Sequence, residues 1–231
     1  MKKIFALFIF ILSTHAGADV KQVAIDAKDA VIAKLDETKI RRATNSYFAL
    51  ANFSPFDLIL PNKYGLTLGL MESSEKTYEL EYLHGTFGVP FAIDNLGTMA
   101  DDRLSLIVRN YSSHNSFNFS YGLSYHDFSV HLGDRFLTAA SGGNFPTADI
   151  VKIQTIGFNL AVGNRWSFNH DITLGIDWFS WAQPLYRVGK QDAFLDHATK
   201  QSEYDAVDKV VKIASYFPRF SVLKIQFGML F

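Results

Sequence analysis

Two short stretches carry side chains of the types that do nucleophilic chemistry. His126, Asp127, Ser129 and His131 lie close together, and Ser112-Ser113-His114 forms a second group. A hydroxyl beside an imidazole begins a nucleophile–base pair, and a carboxylate orienting the ring would complete it. Neither group is complete. Ser129 and His131 share one strand face without a defined acid, and 112–114 has no carboxylate nearby in sequence. The seven His are scattered, no two at ligand spacing in a helix, and Cys is absent, so no metal site is expected. Gly142-Gly143 lies in a loop, not between a strand and a helix, and fails the context a phosphate-binding loop requires. The expectation is a chain with no catalytic residues, cofactor or metal.

A third constellation is charged rather than nucleophilic. Glu79, Glu81, Arg103, Arg109, Asp177 and Lys224 each stand in a segment that alternates with period two, always opposite an apolar row. Eight such segments can be counted. The first, about 63–71, sets Tyr64, Leu66, Leu68 and Leu70 against Gly65, Thr67 and Gly69. The second, about 76–84, sets Tyr78, Leu80 and Tyr82 against Glu79 and Glu81, and the third, about 102–111, sets Leu104, Leu106 and Val108 against Arg103 and Arg109. The fourth, about 116–125, aligns Phe117, Phe119, Tyr121, Leu123 and Tyr125. At His126-Asp127 the phase slips by one, which reads as a tight turn before Phe128, Val130 and Leu132. Segments at about 152–163 and 170–181 follow, then the C-terminal strand. In that strand Leu223, Ile225, Phe227, Met229 and Phe231 oppose Lys224, Gln226 and Gly228.

Periodicity alone does not say which face is inside. The polar rows decide it: they are rich in Gly, Asn, Ser and Thr, and small residues with paired charges suit the narrow interior of an eight-strand barrel. Lys or Arg facing lipid at mid-depth would cost roughly 2–4 kcal/mol, and the apolar rows carry none. The C-terminal segment, with its alternation and terminal Phe231, resembles the closing strand of bacterial outer-membrane β-barrels. That resemblance implies an all-β, single antiparallel up-and-down transmembrane barrel over 63–231, of the small OmpA/OmpX-like architecture, and implies that Phe227, Met229 and Phe231 belong to the signal read by the insertion machinery. It names no subfamily.

The front end supports export. Lys2 and Lys3 precede the apolar run Ile4 to Leu12, and Ala16-Gly17-Ala18 offers a cleavage site, so 1–18 reads as a signal peptide. Residues 19–46 read as an amphipathic periplasmic helix, with Val20, Val23, Ala27, Val31 and Leu35 at helical spacing. Residues 47–62 read as an extended approach broken by Pro55 and Pro61. Counting from a periplasmic N-terminus puts the connections 126–127, 164–169 and 85–101 on the periplasmic side. It puts 72–75, 112–115 and the long 182–217 outside, the last with a helix suggested by Val207, Val210, Val211 and Ala214.

A net charge of −1 argues against a nucleic-acid partner, and the absence of Cys leaves packing, a closed sheet or the membrane to hold an exported chain. The 15% aromatic content, with 21 Phe and 10 Tyr, suits interfacial girdles. The partners expected are outer-membrane lipid and lipopolysaccharide, together with the barrel-insertion machinery. The function expected is a non-enzymatic, porin-like barrel of the Gram-negative envelope. Its role would be structural, surface interaction through 134–150 and 182–217, or limited passage of small solutes. The alternatives are an outer-membrane lipid-modifying enzyme and a soluble periplasmic barrel binding a lipophilic ligand.

Overall fold

Alternation of large apolar with small polar residues builds strands whose two faces need different surroundings, and a ring supplies them by giving one face an inside. The computed structural model describes residues 26, 29–30, 33, 37–88, 97–112, 116–132, 149–191, 212 and 215–231. The strands are β1 (Tyr47–Ser54), β2 (Phe56–Asp57), β3 (Lys63–Ser73), β4 (Lys76–Gly88), β5 (Gly97–Tyr111), β6 (Phe117–Leu132), β7 (Asp149–Ser167), β8 (Ile172–Gln191) and β9 (Arg219–Leu230). Sequential neighbours pair antiparallel, and β1 pairs with β9 to close the ring. Eight strands form the wall. The two-residue β2 continues β1 beyond Pro55 and also pairs with β9. The seam is finished by the C-terminus itself, where the Tyr47 amide donates to the Phe231 carbonyl at 2.8 Å and the Phe231 amide donates to the Tyr47 carbonyl at 2.9 Å.

The faces sort cleanly. Leu66, Leu68, Leu106, Leu123 and Phe227 are 57–61% exposed, whereas Glu81 and Lys224 are 1% and 3% exposed. A soluble protein does not leave a continuous apolar band of this size in water. With its hydrophobic side outward and its polar side enclosed, this is a transmembrane barrel. Among the described residues no helix is long and apolar enough to cross a membrane, so the strands do the crossing.

Three expectations change. First, 47–54 is a barrel strand, not an approach segment, so the barrel begins at Tyr47. Its alternation is hidden because Phe48 and Leu50 face the lumen and pack with Leu230, making both faces apolar. Second, no turn exists at 126–127. β6 runs straight through, with His126 opposite Arg103 and Asp127 opposite Asp102 in an unbroken register. The phase changes because the strand leaves the lipid. Asp127 on the outer face takes Lys152 at 3.1 Å and Gln154 at 3.0 Å, while Phe128 faces inward under the Arg219 guanidinium. Third, these two shifts re-order the ends. Connections 74–75, 112–116 and 168–171 lie together with both chain ends of the barrel, and 89–96, 133–148 and 192–218 lie opposite. The 85–101 and 182–217 connections are also shorter than read, since β4 runs to Gly88, β5 starts at Gly97 and β8 runs to Gln191.

In β9 a bulge-like residue, Leu223 at φ 63°, puts Val222 rather than Leu223 on the exposed face. Residues 1–18, read as a signal peptide, lie outside the described residues. So does most of the helix read in the last long loop, of which 212 and 215–216 are described and helical.

Close strand approach sets where glycine is needed. A Cβ built at Gly122 would stand 1.9 Å from the Leu106 carbonyl oxygen on the neighbouring strand. Backbone cannot swing aside as a side chain does, so Gly122→Ala is expected to lower stability by about 1–3 kcal/mol through overpacking. A shift of the urea midpoint in lipid vesicles measures this. An unchanged midpoint would show that β5 and β6 can part without cost.

Candidate functional site: the barrel lumen

Long charged side chains crossing the lumen need room, and small lumen-facing residues on β6 to β9 help provide it. Ser120, Ser124, Ala161, Ser180 and Ser221 are all buried on that side. Across the space run ion pairs. Glu79 accepts from Arg109 Nε at 3.0 Å and from Arg165 Nη1 at 2.7 Å. Arg109 also holds Asp177 at 2.7 Å, and Asp177 meets Lys224 at 3.0 Å. Lys224 reaches Glu81 at 2.5 Å, which also takes Arg103 at 3.1 Å. The six residues Glu79, Glu81, Arg103, Arg109, Asp177 and Lys224 are thus linked in one continuous chain across four strands. Charges enclosed this way are tolerable because each has a hydrogen-bonded partner.

The chain is longer than those six. Arg165 adds Tyr111 Oη at 2.9 Å and Gln226 Oε1 at 2.8 Å, and its guanidinium lies 5.1 Å from the Phe48 ring centre. Arg109 Nη1 also donates to Asn118. Toward the long-loop end, Lys63 bridges Asp57 at 3.1 Å and Asp101 at 2.6 Å, and Asp101 also pairs with Arg219. Arg165 continues the lumen row of Gly157 and Gly163 at period two, a signal lost when the strand is ended at 163. Lys63, Asp101 and Arg219 stand at segment edges, where alternation is weakest.

The nucleophile-type residues are separated by the same alternation. His126 is fully buried in the lumen, whereas Asp127 and Ser129, of opposite parity in β6, face outward. They cannot converge. His131 lies in the same strand, and His114 lies outside the described residues. Inside, His126 Nε2 sits 3.0 Å from Ser124 Oγ, and its Nδ1 sits 2.9 Å from Arg219 Nη1. Arginine has no acceptor, so Nδ1 must carry the lone pair and Nε2 the proton. A nucleophile-activating base needs the reverse arrangement, with Nδ1–H on a carboxylate and Nε2 free to take the hydroxyl proton. The pair is a structural hydrogen bond. Among the described residues no group of His, Asp or Glu is arranged to hold a metal.

The short-turn mouth is covered. Residues 37–44 form a helix tied to two turns that lie on opposite sides of the ring. Arg42 Nε donates to the Ser74 carbonyl at 2.8 Å and Lys39 meets Glu75 at 3.1 Å. On the far side Thr38 Oγ1 donates to the Ser167 carbonyl at 3.2 Å, and Arg41 meets Asp171 at 3.3 Å. Arg42 stacks 4.0 Å over the Tyr111 ring, and its burial lowers its pKa from the ordinary value. The helix therefore spans the opening and places Arg42 and Thr38, 2% and 0% exposed, against the lumen floor. Phe227, Met229 and Phe231 are exposed on the outer wall.

No family model matches the chain, and no curated protein matches it. Among solved structures it is similar to the N-terminal β-barrel domain of Pseudomonas aeruginosa OprF, at 12% identity over 81% of this chain and 98% of that one, TM-score 0.49. It is similar also to Neisserial surface protein A (NspA), at 7% identity over 80% and 95%, TM-score 0.42. A third is Acinetobacter baumannii CarO, at 13% identity over 80% and 97%, TM-score 0.38. The barrel assignment rests on this chain's own strand pairing.

Proposed function

We propose that this protein is a sealed, non-enzymatic barrel of the bacterial outer membrane. It braces the envelope and presents its long-loop end as the working surface. The observation that carries the reading is the unbroken chain of buried ion pairs from Arg165 to Arg103, backed by the helix across the opposite mouth. A solute crossing this lumen would have to separate charges that have no water to turn to, and breaking one buried pair costs several kcal/mol. Passage is therefore disfavoured, and the lumen His126–Ser124 pair holds its imidazole in the wrong tautomer for a base. Outer-membrane lipid, with lipopolysaccharide at the long-loop side, is the proposed surrounding of the apolar band. The outward Phe227, Met229 and Phe231 are the proposed contact for insertion machinery.

Planar-bilayer recording tests this. Purified protein at a load where a porin control gives steps is expected to leave a flat trace. Discrete conductance steps that survive repurification would overturn it.

A further inference from the structure

Among the described residues, one cation on the strands lining the lumen touches no carboxylate. Lys63, Arg103, Arg109, Arg165, Arg219 and Lys224 each touch at least one of Asp57, Glu79, Glu81, Asp101 and Asp177. Arg187 touches none among the described residues, although its Nη1 is enclosed and unbonded. Its place in the register is specific. Arg103, His126, Thr155 and Arg187 stand directly opposite one another on β5, β6, β7 and β8. Directly opposed residues share a face, so these four form one row on the lumen wall near the long-loop end. Arg219 reaches the same row from β9 through its contact with His126.

The row is also short of acceptors. Thr155 is 0% exposed and its Oγ1 has no partner, while Arg103 Nε and Arg219 Nε are enclosed and unbonded. All of these can donate. Enclosed donors without acceptors cost free energy unless something supplies lone pairs, and cations already outnumber the carboxylates they share. A water can fill one such gap, yet it brings no charge to balance Arg187.

We infer that the row Arg103–His126–Thr155–Arg187, with Arg219, is a binding site for a small oxyanion. Arg187 supplies the uncompensated charge, the Thr155 hydroxyl and the guanidinium Nε–H groups supply donors, and planar guanidinium favours carboxylate or phosphate oxygens. The ligand class is a phosphate or carboxylate small enough to enter the lumen from the long-loop side. The site does not depend on whether the barrel conducts.

The full mature chain, folded in detergent, tests this with inorganic phosphate and with acetate, each against chloride at equal ionic strength. The readout is the temperature at which the folded band is lost on an unboiled gel. Phosphate or acetate at millimolar concentration is expected to raise that temperature by several degrees over chloride. Arg187→Gln and Thr155→Val are expected to remove most of the rise. Both variants first have to show the folded band at low temperature, and Lys152→Gln, altered on the outer face, is expected to keep the full rise. The larger of the two anion effects assigns phosphate or carboxylate as the ligand. No anion-specific rise in the parent protein, or an equal rise in both lumen variants, would overturn the inference.

Discussion

A chain shortened to begin at Lys63 is expected to lose the barrel altogether. The alternating pattern alone would make this cut look harmless, since it removes only the stretch that reads as an approach. In the structure β1 pairs with β3 over Tyr47–Ser54 and with β9 over Phe48–Phe53. Its removal leaves β3 and β9 as open edges, with rows of unpaired amides and carbonyls. In hydrocarbon each such group costs several kcal/mol, and only a closed ring avoids the penalty. Seven strands would have to re-close with a different tilt and stagger, against side chains sized for eight. The measurement is the heat-modifiable band after refolding into detergent or vesicles. A shortened chain that still gave a compact, heat-modifiable band would show that the seam lies elsewhere.

Glu79→Leu is expected to cost about 3–5 kcal/mol, the range for removing one partner of a buried ion pair. Glu79 is 3% exposed and holds two guanidinium groups, Arg109 and Arg165. Arg109 keeps Asp177 after the change, but Arg165 is left with only Tyr111 and Gln226. The two like charges then face each other without the carboxylate between them. Urea unfolding in vesicles, followed by tryptophan fluorescence, reads the loss. The double variant Glu79→Leu, Arg165→Met removes the stranded cation and is expected to recover at least half. A single-variant loss below about 1 kcal/mol, the value typical of solvent-screened pairs, would show that water reaches this part of the lumen.

The strand count emerges from the sequence alone although two of its parts do not. β1 is illegible because the lumen floor is apolar: Phe48, Leu50 and Leu230 pack together there, and a strand with two greasy faces has no period. β6 appears as two strands because alternation records which medium each face meets, and both media change along its length. Below His126 the outer face meets lipid; above it Asp127 meets Lys152. One missed strand and one divided strand leave the total at eight and exchange the ends only for the connections before β6, while those after β7 and β8 stay where the sequence put them. Charges in otherwise apolar segments were the legible part of the lumen, because in a thin wall a charge that avoids lipid has only one other direction to point. Arg187 was not legible at all. The bulges between β7 and β8 put Leu185, Tyr186 and Val188 on the exposed side around it, so neighbours in sequence give no clue to its facing.

The wall is uneven in height. β1 has 8 residues and β3 has 11, while β7 has 19 and β8 has 20. At about 3.3 Å per residue and a tilt near 40°, β8 rises roughly 50 Å, about twice the apolar band of such barrels. The paired wall therefore rises well past the apolar band at β7 and β8 and is lowest at β1 and β3. The height of the paired wall has a compass direction around the ring, fixed by how many residues each strand was given.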